Sequence, residues 1–116
     1  MRKVKINAYQ KGLIFKNGVY QHMLNEGNYW LWFNEKVEVY EINKPFYAPV
    51  ELNILLQDAA LANALQVVEV KDNEIALQYE NGLLKQILTA GRYTFWKGFI
   101  NYEFVIADIS KIEISE

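Results

Sequence analysis

The chain has 116 residues, of which 52% are hydrophobic and 22% charged, with a net charge of −2 and no cysteine. This composition is typical of a folded domain and excludes a disordered segment, a disulfide framework and a thiolate zinc site. Acidic and basic residues are interspersed, and no apolar stretch approaches the roughly 20 residues of a spanning helix. Neither nucleic-acid binding nor a transmembrane segment is therefore expected.

The first predicted unit covers about residues 4–44 and consists of about five short strands. A leading strand at Val4-Lys5-Ile6 is followed by a hairpin, whose turn is Asn17-Gly18. Asn-Gly predicts a type I′ turn because both central residues need positive φ. Gly27 marks a second turn, and an aromatic strand follows at Tyr29–Phe33. A last strand completes the unit.

The predicted connector, residues 45–66, breaks this β pattern. Pro45 and Pro49 indicate an extended crossing. A short helix is predicted at about 58–65, with Asp58 as its N-cap and alanines as strong helix formers. Such a short helix is unstable alone, so it must pack on the β units.

The second predicted unit, residues 67–111, repeats the first. Residues 77–96 match residues 13–32 at a shift of 64, with seven of 20 positions identical. The identical pairs are Leu13/Leu77, Asn17/Asn81, Gly18/Gly82, Leu24/Leu88, Gly27/Gly91, Tyr29/Tyr93 and Trp32/Trp96. The last strands align at a shift of 67, which places three extra residues around Lys97–Ile100. Insertions are tolerated at turns.

These elements predict a mostly β fold, a β-rich α+β class. Two pseudo-symmetric antiparallel units of about five strands each are joined by an extended crossing and a short helix. Neither unit has enough strands to bury its apolar face, so we expect residues 1–116 to form one domain. Ile109, Ile112 and Ile114 continue strand-like to Glu116 without a turn signal, so we expect the chain to be a piece of a longer protein.

Residues that could carry chemistry are few. His22 is the single histidine, and no acid recurs near it at ligand spacing, so an exposed strand position is predicted. Glu35, Glu38 and Glu41, like Glu113 and Glu116, indicate a solvated sheet face rather than an acid pair. The glycines precede no helix and form no phosphate loop. No catalytic residue, metal site or cofactor is predicted.

The aromatic residues are the candidates for binding. Because Tyr29 and Trp32 recur as Tyr93 and Trp96, they are predicted core positions, and the bulk on both sides of Tyr29–Phe33 suggests a strand buried on both faces. Trp30 is replaced by Thr94 in the second unit. We therefore assign a candidate interaction surface to Trp30, Phe46 and Tyr47, with burial in the core as the alternative.

Each unit resembles the opening of the stomatin/prohibitin (SPFH, band 7) domain, especially that of bacterial slipins. The corresponding segments are Lys11–Gly18, Leu24–Tyr29 and Val39–Ile42 in the first unit, and Glu74–Gly82, Leu88–Tyr93 and Val105–Ile109 in the second. Glu26 and Ala90 stand where the family usually has proline. The family's membrane hairpin and long helical oligomerising region have no counterpart within these 116 residues.

The resemblance implies a non-enzymatic, membrane-associated scaffold that oligomerises, and it supplies no catalytic residue. We expect a protein-interaction module, the N-terminal part of a slipin-like protein, that binds protein partners or itself. Any membrane association is expected from regions outside this chain, and the expected location is cytoplasmic, peripheral to the membrane in the full-length protein. A small-ligand-binding β module using Trp30, Phe46 and Tyr47 is the first alternative, and an enzyme of unknown class is the second.

Overall fold

A computed structural model describes residues 1–111, which form ten β-strands and two short α-helices. The bounds are β1 Arg2–Ile6, β2 Gln10–Lys16, β3 Val19–Leu24, β4 Gly27–Leu31, β5 Glu35–Glu41, α1 Leu52–Leu55, α2 Ala59–Ala64, β6 Leu65–Val70, β7 Glu74–Glu80, β8 Leu83–Leu88, β9 Gly91–Trp96 and β10 Tyr102–Asp108. A 3₁₀ turn follows at Ile109–Lys111. The expectations for Ile112, Glu113, Ile114 and Glu116 concern residues outside this range.

Two five-strand units share one topology. In the first unit (β1–β5), β1 pairs with β4, and β3, β2 and β5 form a three-stranded antiparallel sheet in that order. In the second unit (β6–β10), β6 pairs with β9, and β8, β7 and β10 repeat the three-stranded order. The predicted fold class is confirmed.

Each unit buries a small core between its two sheets. The first unit's core is formed by Ile6, Ile14, Leu24 and Leu31, and the second unit's core by Val68, Val70, Ala76, Leu88, Phe95 and Tyr102. Both three-stranded sheets carry a register shift at the same place, between Ile14 and Phe15 and between Gln78 and Tyr79. The two units therefore share a β-bulge at the same position as well as similar sequences.

The predicted turns are present in both units. Asn17 and Asn81 both have φ of 52°, as the type I′ turn requires. Gly27 and Gly91 both have φ of 152°, where a side chain would be strained. The Tyr29 ring packs over Gly27, where a Cβ atom would lie only 3.3 Å from it. The Tyr29 hydroxyl donates to the carbonyl of Asn25 at 2.9 Å. The Tyr93 ring lies over Gly91 in the same way, and its hydroxyl donates to the carbonyl of Thr89 at 2.9 Å.

The connector (residues 42–64) is partly helical. Asp58 caps α2 as predicted, because its Oδ1 accepts from the Ala60 amide at 3.1 Å. The structure places Leu65 in β6 rather than at the end of the helix, because its backbone pairs with that of Trp96. The earlier helix α1, capped by Glu51, was not predicted. It spans only four residues, which is too short for a helical period to be visible in the sequence.

The connector and both units meet in one shared cluster, which we call the junction. Its buried members are Leu13 and Phe15 of β2, Phe46, Leu55, Leu61, Leu65 and Trp96. The ring of Phe46 packs against the rings of Tyr40 and Trp96, with centroids 5.0 and 5.1 Å away. A second contact joins the two units. Phe99, in the longer turn of the second unit, packs on Tyr9 with ring centroids 5.0 Å apart. The two units are thus held together by apolar packing.

Candidate interaction surfaces

The three aromatic residues singled out from the sequence do not form one surface. Phe46 is 3% exposed in the junction, so its assignment to an interaction surface was wrong: the extended crossing carries it into the core. Its amide donates to the carbonyl of Thr94 at 2.8 Å, which fixes it beside β9. Tyr47, the next residue, points away and is 80% exposed. Trp30 lies on the β1–β4 sheet of the first unit.

Trp30 lies on a basic sheet face. It is 65% exposed, and its partner across the strand pair is Lys3, with Lys5 further along the same face. Cross-strand neighbours of this kind are within reach of long side chains. The expectation that this strand is buried on both faces was therefore wrong. Only the face that carries Tyr29 and Leu31 packs against the three-stranded sheet.

Tyr47 borders a small cavity of about 210 Å³. The cavity is lined by Pro45, Phe46, Tyr47, Gln86, Leu88, Arg92, Tyr93, Thr94 and Phe95, and Trp30 is not among them. Arg92 is its charged group, and this guanidinium is already engaged with Glu69 at 3.2 Å and Asn53 at 3.1 Å. The volume is smaller than the roughly 300–1,000 Å³ of typical ligand pockets.

The residues weighed for chemistry are scattered. His22 is exposed on β3, opposite Ile14. Glu35 accepts the Trp32 amide at 2.8 Å and Glu41 accepts from Gln10 at 3.2 Å, so both carboxylates have structural partners. Within residues 1–111, no three His, Cys, Asp or Glu side chains converge as a metal site would require. No helix in that range is long and apolar enough to cross a membrane.

Two adjacent exposed aromatic residues lie just after β4. Trp32 is 60% exposed and Phe33 is 91% exposed, and we call this pair the aromatic end. A shallow depression of about 350 Å³ beside it is lined by Met1, Arg2, Leu31, Trp32, Phe33, Glu35 and Lys36. The prediction that Trp32 is a core residue was wrong. Its equivalent, Trp96, is 1% exposed because the connector covers it, whereas no described segment covers Trp32.

A second apolar surface lies on the three-stranded sheet of the second unit. Its members, which we call the outer face, are Leu77, Tyr79, Leu84, Ile87 and Val105, all on one side of the sheet because Leu77 pairs with Ile87 and Val105, and Tyr79 with Leu84. Leu84 and Ile87 are both 56% exposed. In the first unit the equivalent residues Leu13, Phe15, Tyr20 and Met23 pack into the junction.

Comparison with known proteins adds no relative. No family model, no curated protein and no solved structure matches this chain.

Proposed function

We propose that this chain is a non-enzymatic protein-interaction module that acts as a scaffold. The observation that carries the proposal is the aromatic end: Trp32 is solvent-exposed at the position where the second unit buries Trp96 against protein. A large exposed aromatic pair is costly to leave in water and is typical of surfaces that bind other proteins. The repeat thus offers, at its first unit, a surface that its second unit already uses for packing.

The proposal includes the setting that the sequence resemblance implies, the N-terminal part of a slipin-like, membrane-associated protein. The support is the pair of repeated motifs around Gly27 and Gly91, each followed by an aromatic strand. Basic residues near Trp30, such as Lys3 and Lys5, are compatible with a position close to an anionic membrane surface. The scaffold role does not depend on this setting.

Site-specific crosslinking tests the scaffold role. A photoreactive residue at Phe33, introduced into the longest native form of the protein in its host, is expected to give a defined adduct with a protein. The matched control is Ile54, which is 51% exposed on α1 and belongs to neither apolar surface. Adducts from Phe33 and not from Ile54 support the proposal.

Light scattering with and without lipid vesicles completes the test. We expect the native form to have the mass of an assembly or of a complex, and a Phe33→Glu variant to have the mass of the single chain. A native form that stays monomeric, ignores vesicles and gives no adduct from Phe33 contradicts the proposal.

A small-ligand role has one observation in its favour, the cavity beside Tyr47. The mostly apolar lining of the cavity and the exposed Tyr47 ring suit a small aromatic molecule. A screen by ligand-detected NMR, with Tyr47→Ala as the comparison, tests this second candidate. Hits that bind both proteins equally count against it.

A further inference from the structure

The junction shows how one unit packs on the next. Trp96, at the end of β9, contacts Tyr40 of the first unit with ring centroids 6.3 Å apart, and the ring of Phe46 packs against both. Leu13 and Phe15 supply the first unit's side of the cluster. Trp96 of the second unit thus packs against the outer side of the first unit's three-stranded sheet.

The same two kinds of surface are open at the opposite sides of the repeat. Among residues 1–110, no sheet covers the aromatic end of the first unit and no segment covers the outer face of the second unit. Packing one copy on another by the step that relates the two units would bring these surfaces together. Such an interface joins different patches of identical chains, and is therefore heterologous.

Both open surfaces are more apolar than their joined equivalents. Phe33 takes the place of Lys97, and Val105 takes the place of Glu38. Lys97 and Glu38 are themselves exposed beside the junction, so each open surface carries an apolar side chain where the other unit holds a charge in water. A purely solvated surface favours the opposite change, because charged side chains are the ones usually exposed.

Charge is also divided between the two ends. Residues 1–44 contain seven Lys and Arg against four Asp and Glu, whereas residues 65–111, the second unit, contain five against six. Arg2 and Lys36 border the aromatic end, and Glu103 lies next to Tyr79 across the strand pair on the outer face. A head-to-tail contact brings the basic first unit of one copy toward the nearly neutral second unit of another, whereas head-to-head pairing would bring two basic units together.

From these observations we infer that the aromatic end of one copy binds the outer face of a second copy, head to tail. The inference rests on the proposed function and names the partner as a second copy of this chain. Trp32 takes the role that Trp96 has at the junction, and Phe33 supplies the second ring that Phe46 supplies there. The outer face receives both rings on Leu77, Leu84 and Ile87.

Complementary variants test this pairing. Trp32→Glu with Phe33→Glu blocks the aromatic end, and Leu84→Glu with Ile87→Glu blocks the outer face. All four side chains are more than half exposed, so both proteins are expected to fold, which circular dichroism checks. If the outer-face variant fails to fold, Val105→Lys, at a position that is 50% exposed, replaces it.

Sedimentation velocity from micromolar to millimolar concentration gives the readout. Wild type and the Ile54→Glu control are expected to associate alike, and each blocked variant alone is expected to be monomeric, with association weakened at least tenfold. An equal mixture of the two blocked variants is expected to form a 1:1 dimer and nothing larger, because each retains one working surface. Added salt is expected to weaken the association.

Three outcomes overturn the inference: a monomeric wild type at every concentration, a monomeric mixture, or a blocked variant that still dimerises alone. Binding to anionic vesicles that requires Trp32 and Phe33, without self-association, assigns the aromatic end to lipid and likewise overturns it. A monomeric chain whose Phe33 crosslinks to a different protein overturns this inference alone and leaves the scaffold role standing.

Discussion

Trp32 and Trp96 occupy the same position of the repeat in opposite surroundings. Trp96 packs among Phe46, Leu55 and Leu61, while Trp32 lies in solvent. The Trp96 Nε1 donor is also buried without a partner in the described part of the chain, a cost that its packing offsets. Identity of sequence therefore does not give identity of environment.

This pair makes a matched stability experiment. Trp96→Ala is expected to lower the free energy of unfolding by about 3–5 kcal/mol, because it leaves a large cavity in the junction. Trp32→Ala is expected to change it by less than about 0.5 kcal/mol, as exposed substitutions usually do. Urea denaturation measures both, and equal losses would contradict the assigned environments.

At the scale of elements, α2 is fixed to the first unit by one polar contact. The Tyr20 hydroxyl on β3 donates to Asp58 Oδ2 at 2.7 Å, while the other carboxylate oxygen caps the helix. Burial, together with the bond to Asp58 and its negative charge, raises the pKa of Tyr20 far above its ordinary value of 10.0. The second unit has Leu84 at this position, and no described helix lies on its sheet.

The raised pKa predicts a loss of stability at high pH. The folded state holds the Tyr20 proton more tightly than the unfolded state, so the contribution is complete below pH 10 and is lost as the pH rises above it. Tyr20→Phe is expected to cost about 1 kcal/mol at neutral pH. It should also reduce, without abolishing, the alkaline loss, since the pKa values of Tyr40 and Tyr102 are raised by burial too.

Urea midpoints at neutral pH and above pH 10 check this expectation, with Tyr47→Phe as an exposed control. An alkaline loss of the same size in wild type and Tyr20→Phe would show that the Tyr20–Asp58 bond does not carry it.

At the scale of the molecule, the junction couples the two units. Leu61 is fully buried there, in a cluster that also contains residues of β2 and of β9. Leu61→Ala is expected to destabilise by about 2–5 kcal/mol, and to lower hydrogen-exchange protection in β2 and in β7 together. NMR of both strands makes the measurement. Loss of protection in one sheet alone would mean that the units unfold independently.

The sequence predicted what local chemistry determines. Asn17-Gly18, Asn81-Gly82 and the two later glycines located the turns, and Asp58 before a run of alanines located α2. Burial was predicted less well, because it depends on which segment covers a position. Trp32 was predicted to be in the core and Phe46 on the surface. The connector instead carries Phe46 into the junction and covers Trp96 but not Trp32. Glycine and proline act on their own backbone, whereas tryptophan takes its environment from distant residues.

The shared junction also has a consequence for synthesis on the ribosome. All strands of the first unit are available once residue 41 has emerged, but Leu13 and Phe15 await α2 and then Trp96, which lies 55 residues after residue 41. At roughly 5–20 residues per second, that interval is on the order of 3–11 s. Until α2 and then Trp96 pack on it, the nascent chain presents an incompletely covered apolar sheet, and a chaperone or a neighbouring nascent chain can bind there.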